Sequence, residues 1–169
     1  AETKASILEI DGHLARLKAF IDKQKEDIEV VVVSDHGMKK VDRRVELTAV
    51  ESLKGFTNSG SGALIYFYTD DDSLIEPAYK ELEAMALADG GFKVYRSNEL
   101  PAEWGMNDVD RRGDLVVIGS PGVYMGYSHR FELEATKEVR EAVLRANPYT
   151  HGWDASKDED LHGLFIANG

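Results

Sequence analysis

The sequence has 169 residues and contains no cysteine and no long apolar run. Without cysteine it can form neither a disulfide nor a thiolate metal site, so histidine and carboxylate side chains would have to bind any metal ion. No segment approaches the roughly 18 apolar residues that a membrane span needs. Basic residues are also few: 20 Lys and Arg stand against 31 Asp and Glu, a net charge of −11. This balance excludes binding to a nucleic-acid backbone, which requires a concentrated basic surface.

The composition is otherwise that of one globular domain with a single core. The 43% hydrophobic and 30% charged residues are ordinary values for a chain of this length. An acidic protein can still bind a polyanionic small molecule if bound cations supply positive charge locally. The chain begins at Ala1 and enters a helical pattern at once, without a targeting signal. We therefore expect it to be an internal part of a longer protein.

Apolar periodicity divides the chain into alternating helices and strands. A spacing of three and four from Ile7 to Ile21 predicts an amphipathic helix over roughly residues 3–24 that faces a core. The β-branched run Ile28–Val33 predicts a strand buried on both faces. Further strands are predicted at 63–68, 92–95, 115–118 and 164–167, further helices at 77–88 and 131–145, and a loop at 119–130. This alternation predicts an α/β domain with a mainly parallel sheet flanked by helices.

The sharpest local feature is Ser-Asp-His-Gly-Met at 34–38, directly after the predicted strand Ile28–Val33. Ligands of open α/β sheets bind beyond the carboxyl ends of strands, which is where this motif places Asp35 and His36. Both side chains can reach one metal ion there, because the backbone is leaving the sheet and Gly37 permits a tight exit. The alternative is that Asp35 caps the next turn and His36 is incidental. The pattern alone leaves both interpretations open.

A second candidate cluster is Thr-His-Gly-Trp-Asp at 150–154. His151 lies in a loop with proline and glycine, a setting typical of functional imidazoles. Asp154 either orients His151 or another metal ligand, since metal-bound imidazoles commonly donate their second N–H to a carboxylate, or forms an Asx turn. For His162 the pattern favours a structural role before the final strand. The acidic run at 158–160 lacks the spacing of a calcium loop and predicts a solvated turn.

Together and in this order, the motifs resemble the type I phosphodiesterase/nucleotide pyrophosphatase family of the alkaline phosphatase superfamily. The likeness covers essentially the whole chain, and Leu161, where the family usually has methionine, conserves apolar volume. It is carried by Ser-Asp-His-Gly-Met at 34–38, Asp-Arg-Arg-Gly-Asp-Leu-Val-Val at 110–117, Thr-His-Gly-Trp-Asp at 150–154 and His-Gly-Leu-Phe-Ile-Ala-Asn-Gly at 162–169. The resemblance implies an alkaline phosphatase-like α/β fold, of which residues 1–169 would form the C-terminal portion.

The resemblance also implies a site for two zinc ions, with other divalent metals as alternatives. Asp35 and His36 would bind one ion and His151 the other. Two such ions clamp the attacking and leaving oxygens of a phosphoryl transfer. In the family a Thr or Ser nucleophile forms a covalent intermediate that water then hydrolyses. That nucleophile and the remaining ligands have no match in this sequence, so we expect no catalytic residue within it and place the nucleophile upstream of residue 1.

The function expected from the resemblance is hydrolysis of phosphodiester or pyrophosphate bonds in a small, nucleotide-type substrate by the parent enzyme. Two zinc ions with open positions need about six protein ligands, and three are identified, so we expect little or no turnover by this chain alone. The alternatives are a phosphonate hydrolase or phosphomonoesterase of the same superfamily, and a non-catalytic metal-binding or interaction fragment. An exposed sheet edge could also pair two copies into a homo-oligomer. The resemblance further suggests that the full-length protein could be exported.

Overall fold

The computed structural model describes residues 2–60, 62–106, 108, 110–127 and 148–168. The predicted helix at 131–145 and the end of the predicted loop 119–130 lie outside these ranges. The helices are α1 (Glu2–Ile21) and α2 (Ile75–Asp89). The strands are β1 (Val30–Val33), β2 (Lys39–Lys40), β3 (Arg43–Glu46), β4 (Thr57–Ser59), β5 (Leu64–Tyr68), β6 (Phe92–Arg96), β7 (Leu115–Gly119), β8 (Val123–Gly126), β9 (Tyr149–Thr150) and β10 (Phe165–Asn168).

The chain divides into two compact units. The first comprises residues 1–34 and 164–169, and the second comprises residues 35–163. No helix in the described ranges is long and apolar enough to cross a membrane. The candidate site residues Asp35, His36, His151 and Asp154 all belong to the second unit.

The first unit contains α1 and an antiparallel pair of strands, β1 and β10. Val30 lies opposite Asn168 and Val33 opposite Phe165, and the Leu164 N–H donates to the Ser34 Oγ at 2.6 Å. Helix α1 follows the predicted periodicity but has no buried residue. The prediction that its stripe faces a core is therefore wrong for this structure. Burial of Ile28–Val33 on both faces is also wrong, because exposed and half-buried residues alternate along β1.

The second unit is built on a four-stranded antiparallel sheet with the order β4-β5-β7-β6. Every residue of β7 is buried, because this central strand is covered on both faces. Along β5 only alternate residues are fully buried, as expected for a strand with one face on the core. Helix α2 buries Ala78 and Leu82 and ends at Gly90, whose φ of 71° is the left-handed conformation of a helix C-terminus. This sheet and helix enclose the main core.

Two smaller strand pairs complete the second unit. β3 pairs in parallel with β8, from Arg43 opposite Val123 to Glu46 opposite Gly126. β2 pairs antiparallel with β9, with Lys39 opposite Thr150 and Lys40 opposite Tyr149. β8 falls within residues 119–130, which the sequence predicted to be a loop. That prediction missed the strand because Gly, Pro and Tyr flank it closely.

The structure confirms the α/β class, and it confirms, within a few residues, the predicted strands and the helices at 3–24 and 77–88 that lie in the described ranges. The direction of the strands differs from the expectation. Five of the six strand pairs formed by the described residues are antiparallel, and only the β3–β8 pair is parallel. A continuous apolar run is typical of a strand that is covered on both faces, as β7 is, and such strands occur in antiparallel sheets as well. The apolar runs therefore identified strands correctly but did not determine their direction.

Candidate functional site

His36 and His151 come together because β2 and β9 pair. His36 lies three residues before Lys39, and His151 directly follows Thr150, the residue opposite Lys39 in the ladder. The two imidazole rings stack, with centroids 3.6 Å apart and an angle of 16° between their planes. The two histidines singled out from separate motifs are thus direct neighbours in space.

Asp35 and His36 form a compact group of donors and acceptors. The His36 backbone N–H donates to Asp35 Oδ1 at 3.0 Å. The Gly37 carbonyl can only accept a hydrogen bond, so the His36 Nδ1, 2.8 Å away, is the protonated nitrogen. In the neutral ring His36 Nε2 then carries a lone pair, and it lies 3.2 Å from Asp35 Oδ2. An imidazole nitrogen and a carboxylate oxygen at this separation are close enough to bind one cation together.

Gly37 fixes the backbone next to His36. Its N–H donates to the Leu161 carbonyl oxygen at 2.9 Å. A Cβ atom on residue 37 would overlap the Asp160 carbonyl oxygen and lie 2.8 Å from the His162 carbonyl oxygen. From the sequence, Gly37 is expected only to permit a tight exit from the strand. The structure adds that the missing side chain lets the segment 158–162 approach this backbone.

Asp154 makes the contacts of an Asx turn, one of the two roles left open by the sequence. Its Oδ1 accepts from the Ser156 backbone N–H at 3.0 Å and from the Ser156 hydroxyl at 2.7 Å. These bonds hold the pKa of the Asp154 carboxyl below its ordinary value. Asp154 thereby caps the short 3₁₀ turn Ala155–Lys157. Its role in orienting His151 or another metal ligand stays a prediction.

The segment after Asp154 contains residues whose contacts sequence reasoning missed. Asp158 begins a 3₁₀ turn, as the acidic run predicted, but its side chain is paired with Lys39 instead of being solvated. Residues 39 and 158 are too far apart in the sequence for a local pattern to reveal this pair. His162 Nε2 donates to the Ala155 carbonyl oxygen at 3.0 Å, a contact in keeping with the structural role favoured for this residue.

The candidate ligands are of the types that bind zinc, but they are too few for a complete site. Imidazole nitrogen and carboxylate oxygen are ordinary zinc ligands, and Asp35, His36 and His151 supply both types. Among the described residues, no group of three or more His, Asp or Glu side chains is arranged to hold a metal ion by itself. A complete site would therefore need donors beyond these three residues.

Comparisons with known proteins agree on one family. An ectonucleotide pyrophosphatase/phosphodiesterase of Caenorhabditis elegans is 28% identical over 155 residues, which are 90% of this chain and 18% of the relative. The solved structure of human ectonucleotide pyrophosphatase/phosphodiesterase 5 matches with a TM-score of 0.77 at 20% identity, covering 98% of this chain and 40% of that chain.

An inactive form of the murine phosphodiesterase 5, solved in complex with AMP, matches with a TM-score of 0.73 at 22% identity. It covers 95% of this chain and 39% of the murine chain. The chain thus spans less than half the length of these relatives. These structural matches confirm the alkaline phosphatase-like fold. A sequence model described as type I phosphodiesterase / nucleotide pyrophosphatase matches residues 1–154, and the chain belongs to this family.

Proposed function

We propose that this chain is part of a metal-dependent hydrolase that cleaves phosphodiester or pyrophosphate bonds in nucleotide-type substrates. The observation that carries the proposal is the stacking of His36 on His151, with Asp35 beside them. These residues belong to the two motifs on which the family resemblance rests. The AMP complex of the murine relative supports a nucleotide as the substrate class.

In this proposal Asp35, His36 and His151 are the residues of this chain that would hold zinc. When bound in pairs, such ions neutralise the charge that develops on the attacking and leaving oxygens. The proton on His36 Nδ1, donated to the Gly37 carbonyl, leaves Nε2 free as the donor atom next to Asp35 Oδ2. Bound metal ions would also attract an anionic substrate, because a chain with a net charge of −11 offers little positive surface of its own.

A metal-binding measurement on the isolated chain tests the ligand assignment. We expect His36→Ala and His151→Ala each to lower zinc affinity by about tenfold or more, as loss of a ligand or its support does. His13→Ala is the matched control, because His13 is an exposed histidine on α1 whose Nε2 lies 3.8 Å from a Glu9 carboxylate oxygen. Zinc affinities come from competition with a chromogenic chelator. Equal affinities for all four proteins would remove His36 and His151 from the proposed site.

Catalysis by the isolated chain is a separate question. Three candidate ligands are half of the roughly six that two zinc ions need, so we expect no turnover of an aryl phosphodiester with added zinc. The assay is release of the coloured phenol. Turnover that disappears in both His36→Ala and His151→Ala would contradict this expectation and show that the chain holds a complete site.

A second candidate function is a non-catalytic metal-binding or interaction fragment. It is favoured by the absence, among the described residues, of any three-donor group arranged to hold a metal ion. Elemental analysis of a longer protein that includes this chain separates the two candidates. Two zinc ions per molecule together with hydrolysis of nucleotide phosphodiesters support the hydrolase, whereas a metal-free and inactive protein supports the fragment.

Self-association through the first unit is a further part of the proposal. In the described part of the chain, β1 pairs with β10 along one edge and its other edge is unpaired, and the side chains of Val31 and Val33 are exposed. An open edge of valines without charge can add a strand from a second copy. Light scattering should then show an average mass that rises with concentration and falls in Val31→Lys. Leu87→Lys, at an exposed leucine of the second unit, should leave the mass unchanged.

A further inference from the structure

The described residues include a shielded ion pair near the candidate site. Lys39 Nζ lies 2.6 Å from Asp158 Oδ2 and 3.3 Å from Asp160 Oδ2. The side chains of Lys39 and Asp158 are 21% and 17% exposed, whereas those of the surface pair Lys54 and Glu51 are 64% and 72% exposed. Fully exposed pairs contribute little because water and salt screen them. The Lys39 pair is better shielded and is held by two carboxylates.

The pair joins the two segments that meet beside His36. Lys39 is part of β2, immediately after the Ser-Asp-His-Gly-Met motif, and Asp158 begins the turn Glu159–Leu161. The same segments meet at the Gly37 N–H, which donates to the Leu161 carbonyl oxygen. The backbone from 37 to 39 is therefore attached to the segment 158–161 at two points.

This attachment reaches the imidazole ring through one further bond. The orientation of the His36 ring is fixed by its Nδ1–H bond to the Gly37 carbonyl oxygen. The pairing of β2 with β9 likewise fixes the position of His151 along the strands, because Lys39 lies opposite Thr150, the residue before His151. A displacement of the backbone at 37–39 would thus move His36 relative to His151 and change their stacking.

We propose that Lys39, held by Asp158, is a positioning residue that sets the orientation of His36 for metal binding. This inference rests on the proposed metal site, since the benefit of a fixed ring is a preformed pair of donors. Among the described residues, the Lys39 ammonium pairs with Asp158 and Asp160, so it acts on His36 through the backbone. Residues that orient metal ligands in this indirect way commonly affect affinity by ten- to a hundredfold.

The protonation states of the pair agree with this role. The hydrogen bond from Lys39 lowers the pKa of the Asp158 carboxyl, and the same bond raises the pKa of the Lys39 ammonium. Both groups are consequently ionised at neutral pH, where a zinc site operates.

The test compares four variants of the whole chain. Lys39→Met removes the charge but keeps the apolar stem, and Asp158→Asn removes the other charge. Lys39→Arg keeps the charge and should retain most of the zinc affinity and of the contacts between the His36 and His151 rings. Lys54→Met is the matched control, because it breaks a lysine–carboxylate pair of the same unit that is far more exposed.

Two measurements are made on each variant. The first is zinc affinity, which we expect to fall by about tenfold in Lys39→Met and Asp158→Asn and to stay near the wild-type value in Lys39→Arg and Lys54→Met. The second needs no metal: nuclear Overhauser contacts between the ring protons of His36 and His151, which report the stacking at 3.6 Å. These contacts should weaken in Lys39→Met and Asp158→Asn only.

The outcomes separate the two proposals. If the wild-type chain binds no zinc but Lys39→Met loses the ring contacts, the metal assignment fails while the positioning role holds. If Lys39→Met keeps both the ring contacts and the zinc affinity of the wild type, the positioning role is overturned. It is also overturned if Lys39→Met and Lys54→Met reduce zinc affinity equally, because the effect would then follow from general loss of stability.

Discussion

The two units of this chain use similar sequence patterns with opposite results. Helix α2 buries Ala78 and Leu82, whereas α1, which is longer and equally periodic, buries no residue. Strand β7 is buried along its whole length, whereas the four valines of β1 alternate between half-buried and exposed. An apolar pattern therefore determines which face of an element is available for burial. Whether that face is covered depends on other elements that the pattern does not reveal.

The largest expected difference between the units concerns their phenylalanines. Phe67 is fully buried and packs edge to face against Phe56 and Tyr127, whereas Phe20 on α1 is 62% exposed. Phe67→Ala should lower the free energy of unfolding by about 3–5 kcal/mol, because it leaves a cavity in the core. Phe20→Ala should change it by less than about 0.5 kcal/mol. Urea unfolding followed by far-ultraviolet circular dichroism measures both, and equal losses would refute the contrast.

Alanine substitution at two glycines, one in each unit, should change stability by smaller amounts and in opposite directions. Gly37→Ala should destabilise the chain by about 1–3 kcal/mol, because its Cβ overlaps the Asp160 carbonyl oxygen. Gly12 lies within α1, and a Cβ there meets no atom within 4 Å. Gly12→Ala should therefore stabilise the chain by about 0.5–1 kcal/mol, the usual gain in a helix interior. Thermal unfolding of the two variants tests this, and a stabilised Gly37→Ala would show that the segment 158–162 can move away.

The smallest expected effect is a change in pH dependence. Glu81 on α2 accepts hydrogen bonds from the Ser52 hydroxyl and from the backbone N–H groups of Ser52 and Glu51, and these bonds lower the pKa of its carboxyl. A lowered pKa in the folded state adds stability above the ordinary pKa of glutamate. That stability is lost as the pH falls through the folded-state value.

Glu81→Gln should accordingly reduce stability slightly at neutral pH and flatten its decline in acid. Glu9→Gln is the control from the first unit, where the nearest charged partner of Glu9 is the exposed His13. The measurement is the midpoint of urea unfolding at several pH values between about 3 and 7. Parallel curves for Glu81→Gln and the wild type would exclude a role for this carboxylate in anchoring α2.

Local sequence patterns predicted much of this fold and the location of the candidate site. The strands at 63–68, 92–95 and 115–118 and the helix at 77–88 lie within a few residues of the observed elements. The order of the motifs led to the prediction that His36 and His151 belong to one metal site, and their rings are in contact. These features are predictable because apolar periodicity and short motifs are local properties of a sequence.

The features that could not be predicted depend on residues far apart in the chain. Strand direction is set by connections and partners, so the apolar runs at 28–33 and 115–118 did not reveal antiparallel pairing. β8 was hidden by turn-forming residues on both sides. The Lys39–Asp158 pair forms only when the fold brings strand β2 next to a distant turn, and the acidic run at 158–160 is otherwise indistinguishable from a solvated turn.

The stacked histidines also have a consequence for how the chain folds. His36 lies at the start of the second unit and His151 near its end, so their contact closes a loop that contains the whole central sheet. Contacts of such high sequence separation form late, after the local hairpins and α2. The donor pair is consequently assembled only when the intervening core is in place. Metal ions bound at Asp35, His36 and His151 would stabilise a contact that forms late, so they would slow unfolding of the unit more than refolding.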